Sequence, residues 1–227
     1  MTTLLAFDND GVLRDESVSY QRCVVETVAF FDYGKPATEA ELTASLKQSN
    51  DDWDRTYRIL QRRGIDVDFQ TVKGHFQDLY LGKSRDFSGY INDEPWLADN
   101  VQLQRLSEKY PLVIVSGAPI EEVRYTLQRN GASTFFSKVW GMFECDGKND
   151  GLEKAIKEFG ADRVFFCDDR PSPIREALKL SPHYRIEVYG IIPPGAPRNW
   201  AQVLKDAGAK DFYTNVTEYC QFLQTIQ

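Results

Sequence analysis

The chain has 227 residues, 42% of them hydrophobic and 27% charged, with a formal net charge of -7 and a pI near 5.0. That size and balance suit a soluble globular protein of one or two domains with a sizeable core. The acidic balance argues against a general nucleic-acid binder, which needs Lys and Arg to neutralise phosphates, and no apolar run approaches the length of a membrane span.

The first apolar run, 4–7, stops abruptly at Asp8-Asn9-Asp10-Gly11-Val12-Leu13. Four apolar residues bounded by polar and turn-forming ones predict a strand buried on both faces, as in a parallel sheet. Asp8 would then sit at the C-terminal end of the strand, where open α/β sheets bind ligands. Asp, Asn and Gly are also ordinary turn residues, so this run alone fits a simple turn equally well. No basic stretch precedes the run, and it is far too short for a signal peptide. Cys23, Cys145, Cys167 and Cys220 are scattered without a Cys-x-x-Cys pair, so a reduced, cytoplasmic chain is expected.

From residue 17 to about residue 93 the pattern becomes helical. Val18, Val24, Val25, Val28 and Phe31 share a helical spacing over 17–31, with Ser17 as a cap. A Thr38-x-x-Glu41 capping box opens a helix over 38–46. Trp53, Tyr57 and Leu60 predict a helix over 51–63, and Phe69, Val72, Phe76, Leu79 and Tyr80 one over 68–81. Four helices in one insertion make a second domain, 17–92, between the two parts of a core, 1–16 and 93–227.

Strands and helices then alternate. A helix is expected over 96–109, and Leu112-Val113-Ile114-Val115 runs as a strand into Ser116-Gly117. The helix 120–130 ends at Gly131, a short strand covers 135–140, and the helix 149–159 ends at Gly160. Val164-Phe165-Phe166-Cys167 runs into Asp168-Asp169, and Pro171 opens a helix over 171–180. A strand over 186–192, a helix over 199–207, a short edge strand at 212–213 and a closing helix over 216–226 complete the chain. Alternation of this kind predicts a doubly wound parallel sheet.

If the three apolar strands are neighbours, their ends bring Asp8, Asp10, Ser116, Asp168 and Asp169 into one crevice. Carboxylates so crowded repel one another unless a cation sits among them. Oxygen ligands suit a hard cation such as Mg²⁺, which also takes a phosphate oxygen, so a small phosphorylated metabolite is the expected substrate.

At these residues the chain resembles the haloacid-dehalogenase superfamily of phosphohydrolases. The first motif of that family, Asp-x-Asp-Gly-(Thr/Val)-Leu, is matched by Asp8 to Leu13, its strand-ending Ser/Thr-Gly by Ser116-Gly117, its lysine by Lys148 and its strand-ending acids by Asp168-Asp169, in the family's order. The resemblance implies a Rossmannoid α/β core with an inserted α-helical cap. A cap between the first two motifs marks the subfamily that includes phosphoglycolate phosphatases, β-phosphoglucomutases and haloacid dehalogenases. It also implies roles. Asp8 is the nucleophile and a metal ligand, Asp10 the acid and base with its backbone carbonyl on the metal, and Ser116, Gly117 and Lys148 hold phosphate oxygens. Mg²⁺ would lie among Asp8, Asp10, Asp168 and Asp169, with Asp168 the direct ligand.

Alternatives remain at several of these positions. Lys138 and Lys154 compete with Lys148, whose advantage is its place just ahead of an Asn149-Asp150 helix cap. Many relatives carry Gly-Asp-x-x-x-Asp at the fourth motif; here Cys167 replaces the glycine and Ser172 the second acid, leaving Asp169 to supply that carboxylate. Cys167 itself reads as a buried packing residue, and His75 and His183 stand isolated. Around the insertion, Lys47, Asn50, Asp51, Asp52, Arg55, Arg14, Asp15 and Glu16 are polar candidates for substrate contact, with Arg14, Asn50 and Arg55 favoured. A phosphoric monoester hydrolase, as a monomer or homodimer, is the expected activity. A phosphomutase or a non-catalytic phospho-ligand binder is the alternative, and a dehalogenase would not need Asp10.

Overall fold

The computed structural model describes residues 2–46, 48–49 and 51–226. The chain divides into two compact units, one of 1–15 with 95–227 and the other of 16–94.

The first unit is an α/β fold around a six-stranded, all-parallel sheet. Its strands are β1 (Thr3–Phe7), β2 (Leu112–Val115), β3 (Lys138–Trp140), β4 (Arg163–Asp168), β5 (Arg185–Ile191) and β6 (Asp211–Tyr213), in the order β3-β2-β1-β4-β5-β6. Strand order therefore reverses beside β1, where a doubly wound sheet opens a crevice at the strands' C-terminal ends. In register, Phe7 lies opposite both Ile114 of β2 and Cys167 of β4, so Asp8 and Asp168 emerge side by side.

Alternation along the central strands fills two cores. Leu5, Phe7, Ile114, Phe165 and Cys167 face one way, and Leu4, Ala6, Val113, Val115 and Phe166 the other, all fully buried. This is why the runs read as continuously apolar rather than alternating. In chain order the unit's helices are Asn100–Ser107, Ile120–Arg129, Gly147–Phe159, Pro171–Leu178, Trp200–Asp206 and Val216–Leu223. The first two and the last pack residues such as Leu103, Val123 and Tyr219 on one face, and the middle three pack Leu152, Ile174 and Leu204 on the other.

The second unit is helical, with α1 (Ser17–Phe31), α2 (Glu39–Leu46), α3 (Asp52–Arg62), α4 (Phe69–Leu81) and a 3₁₀ turn at Tyr90–Asp93. Cys23, Val24, Val28, Ile59, Leu60, Val72, Phe76 and Tyr80 form its buried interior. The Thr38–Glu41 capping box is made: Thr38 N donates to Glu41 Oε2 at 2.8 Å and Glu41 N to Thr38 Oγ1 at 3.3 Å. We continue the numbering with α5 (Asn100–Ser107), α6 (Ile120–Arg129), α7 (Gly147–Phe159), α8 (Pro171–Leu178), α9 (Trp200–Asp206) and α10 (Val216–Leu223).

Several expected boundaries shift for local reasons. Helix α5 starts at Asn100 rather than 96 because Asp99 caps it through Val101 N at 2.8 Å, while Trp96 bridges to Arg14. The N-cap position of α1 is taken by Glu16, without a side-chain cap bond, and Ser17 is the first helical residue; Ser19 Oγ, two residues on, donates to Glu94 Oε1 at 2.5 Å. Strand β3 begins at Lys138 because Phe135 N closes a turn onto Ala132 O at 3.1 Å. The 3₁₀ turn at Tyr90–Asp93 has no counterpart in the sequence reading.

Candidate active site

Asp8 is the residue where β1 ends and the chain turns. Its backbone N–H donates to Cys167 O at 3.0 Å, which continues the β1–β4 ladder one step past the strand. Asn9 O then accepts from Val12 N, Leu13 N and Arg14 N, and Gly11 N donates to Arg14 O, so 9–14 folds back as a tight loop. Gly11 is required there. Its φ is +69°, and a Cβ would lie 2.3 Å from Asp169 Oδ2, so only glycine lets the loop pass this close to the acidic end of β4.

Lys148 enters from the first turn of α7. The helix begins at Gly147, so Lys148 lies inside it, not ahead of an Asn149 cap as the sequence suggested. Gly151 lets that turn approach β2, since a Cβ would meet Val115 Cγ1 at 2.5 Å. The buried Lys148 Nζ therefore reaches Asp8 Oδ1 at 2.6 Å, Asp168 Oδ2 at 3.1 Å and Val115 O at 2.6 Å. Its rivals lie elsewhere, exposed: Lys138 pairs with Glu158, and Lys154 with Asp150. Burial disfavours the charged lysine, but Asp168 and Asp8 outweigh it and leave its pKa raised.

Asp8, Asp168 and Asp169, all buried, each offer a carboxylate oxygen, and these oxygens lie within 4.8 Å of one another. Burial, together with the charge of Asp168, pushes the Asp8 pKa up to about 7 despite the opposing pull of Lys148. Asp8 Oδ2 is buried and accepts no hydrogen bond among the described residues. A group of hard oxygen donors with excess negative charge and an unsatisfied oxygen fits a cation such as Mg²⁺. Asp168 and Asp169 both enter the group, whereas the Asp10 carboxylate does not.

Ser116 is buried one residue past β2, donating its N–H to Trp140 O at 2.9 Å while its Oγ accepts from Ala118 N at 3.0 Å. Gly117 follows, with open space where a Cβ would lie. Arg14, expected at the substrate, is instead fully buried, and its Nε donates to Asp10 Oδ1 at 2.7 Å. Burial would raise the Asp10 pKa, but the Arg14 guanidinium holds it below the usual range. In the helical unit Arg55 is also buried, bonded to Asp52 and, at 3.3 Å, to Ser45 Oγ. Asp51 caps α3 through Trp53 N at 2.8 Å. Asn50 and Lys47 lie outside the described residues.

The sequence reading passed over Arg170. Its Nε lies 3.6 Å from Asp169 Oδ1, and its side chain is 39% exposed. Desolvation opposes its charge, but Asp169, Asp168, Asp8 and Asp10 hold its pKa raised, so it is a partly exposed cation at an acidic cluster. Its position directly after Asp168-Asp169 was the available signal.

The doubly wound parallel sheet is the fold of solved haloacid-dehalogenase-like proteins, among them one from Agrobacterium tumefaciens str. C58 with a TM-score of 0.70 at 16% identity, over 99% of this chain and 98% of the other. A structure from Thermotoga maritima provisionally named beta-phosphoglucomutase superposes with a TM-score of 0.77 at 19% identity, over 100% of both chains. A predicted phosphoglycolate phosphatase from Haemophilus somnus 129pt gives 0.75 at 17% identity, over 98% of each chain. A phosphatase from Thermococcus thioreducens gives 0.71 at 17% identity, over 98% of this chain and 100% of the other. No protein-family model matches the chain. Among curated proteins, imidazoleglycerol-phosphate dehydratase of Phytophthora nicotianae is 24% identical over 167 residues, or 70% of this chain, and the chain spans 36% of that protein.

Proposed function

We propose that the chain is a Mg²⁺-dependent phosphatase of small phosphomonoesters, with Asp8 as nucleophile. The observation that carries this reading is the Asp8 carboxylate itself, buried at the end of β1 with one oxygen on Lys148 and the other without a hydrogen-bond partner among the described residues. In the first step an Asp8 oxygen attacks phosphorus, the bond to the leaving oxygen breaks, and Asp10 gives that oxygen a proton. In the second, Asp10 takes a proton from water, which attacks the aspartyl-phosphate, releases inorganic phosphate and restores Asp8. A dianionic phosphate arriving beside Asp10 raises its proton affinity, which turns a base into an acid when one is needed. Lys148 and Ser116 would hold the phosphate oxygens that are not transferred, and Arg170 adds positive charge for an anionic substrate. Mg²⁺, held by Asp8, Asp168 and Asp169, would supply charge screening between carboxylate and phosphate. The helical unit 16–94 is proposed to be a cap that selects the substrate.

The test is phosphate release from a panel of phosphomonoesters, including phosphoglycolate and sugar phosphates, with and without Mg²⁺, beside Asp8→Asn. Release that requires Mg²⁺ and disappears in the variant is expected. No release from any ester by folded, Mg²⁺-loaded protein would overturn the phosphatase reading. Isomerisation of a sugar phosphate without release would replace it with a phosphomutase, the name carried by the Thermotoga structure.

A further inference from the structure

We propose that Arg14 is a positioning residue that orients Asp10 for proton transfer to the leaving group; this rests on the phosphatase reading above. Arg14 has no solvent exposure and is among the largest fully buried side chains. A guanidinium is not buried without strong partners, because its desolvation cost must be met by hydrogen bonds and opposite charge. Here they come from two directions. Nε donates to Asp10 Oδ1 at 2.7 Å, while on α6 Nη1 donates to Thr126 Oγ1 at 3.3 Å and Nη2 lies 4.0 Å from the buried Glu122 carboxylate. Thr126 Oγ1 in turn donates to Glu122 O at 3.0 Å, which fixes that anchor on the helix.

The consequence for Asp10 is directional. Asn9 Nδ2 also donates to Oδ1, at 2.7 Å, so among the described residues both hydrogen bonds to the carboxylate fall on the same oxygen. That assigns Oδ2 to the reacting group. Arg14 follows Asp10 by four positions, and the fold-back of 9–14 brings the two side chains together, so the loop that carries the acid also carries its clamp. The clamp is anchored on α6, which follows the Ser116 turn, and therefore ties the acid to the body of the α/β unit.

In the step affected, the bond from phosphorus to the leaving oxygen breaks as Asp8 bonds to phosphorus, and the leaving oxygen takes its proton from Asp10 Oδ2. An alkoxide needs that proton; a nitrophenolate, a far better leaving group, does not. The experiment compares kcat/KM for the best alkyl phosphate of the panel with kcat/KM for 4-nitrophenyl phosphate, since kcat/KM reports the step in which the leaving group departs. In Arg14→Gln the alkyl-to-aryl ratio should fall at least about tenfold, a share of the ~10²–10⁴-fold contributed by a placed acid. Arg14→Lys keeps the buried charge but cannot span Asp10 and α6 together, and its ratio should fall between wild type and Arg14→Gln. Thermal unfolding verifies the fold of each variant.

Equal losses on both esters, or no loss on either, would overturn the proposal. So would failure of both variants to fold, which would make Arg14 a residue of the fold alone. Wild-type protein inert on both esters would instead bring down the phosphatase reading, so the two failures are distinguishable.

Discussion

Replacing Asp8 with asparagine should stabilise the metal-free α/β unit while it removes turnover. Asp8 is 1% exposed, and burial beside Asp168 raises its pKa from 3.8 to about 7 in the folded protein. The folded state therefore holds this proton more tightly than the unfolded chain does. Well below pH 3.8 both states are protonated and the group has no effect; as pH rises through 3.8 to about 7, ionisation favours the unfolded chain. A difference of roughly three pKa units at ~1.4 kcal/mol each sets an upper bound of ~4 kcal/mol by pH 8. Water entering the site screens part of this, so ~2–4 kcal/mol is the working figure. Asparagine avoids the penalty, and Lys148 keeps Asp168 at 3.1 Å and Val115 O at 2.6 Å. At ~2–4 °C per kcal/mol for a protein of this size, the variant should melt ~4–16 °C above wild type at pH 8 in EDTA, and within a few degrees of it at pH 4.5. Mg²⁺ should close the gap at pH 8 by stabilising wild type more than the variant. A variant no more stable than wild type at pH 8 without metal would refute the reasoning.

Two further outcomes follow from particular contacts. Gly11→Ala places a methyl group against Asp169 at a φ of +69°, so about 1–3 kcal/mol of stability should be lost; Mg²⁺ affinity, read by calorimetry, should fall at least about tenfold because Asp169 is displaced. In the helical unit all five Arg63 donor hydrogens are used: Glu41 accepts at 2.8 and 2.6 Å, Asp32 at 2.8 Å, and the Lys35 and Pro36 carbonyls at 2.9 Å each. Arg63→Lys should cost about 2–3 kcal/mol in thermal or denaturant unfolding, because an ammonium cannot reproduce the fork. The Arg63 hydrogen bonds hold Glu41 at a pKa of about 2, so its stabilisation is complete above about pH 4.5 and is lost as pH falls toward 2. The difference between variant and wild type should shrink over that acidic range; a gap unchanged down to pH 2 would disprove the pairing.

The sequence by itself determined the α/β alternation, the places where strands end and the acids that end them. Strands covered on both faces must be apolar at every position, so β1, β2 and β4 announced themselves as uninterrupted runs broken by Asp8, Ser116 and Asp168. The Thr38–Glu41 box and the left-handed Gly160 were legible for another reason: their partners lie within about one turn of chain. What only the tertiary structure decided was pairing between residues distant in sequence. Lys148 stands out from Lys138 and Lys154 because Gly151 lets α7 approach β2, and no local pattern encodes that approach. Arg14 and Arg55 were substrate candidates because they stand at the entry to the helical insertion and at a polar break between its predicted helices; the 9–14 fold-back and the anchor on α6 bury Arg14, while Asp52 and Ser45 take Arg55. A charge can be buried only where the fold assembles its partners, and for Arg14 the Thr126 partner comes from 112 residues away.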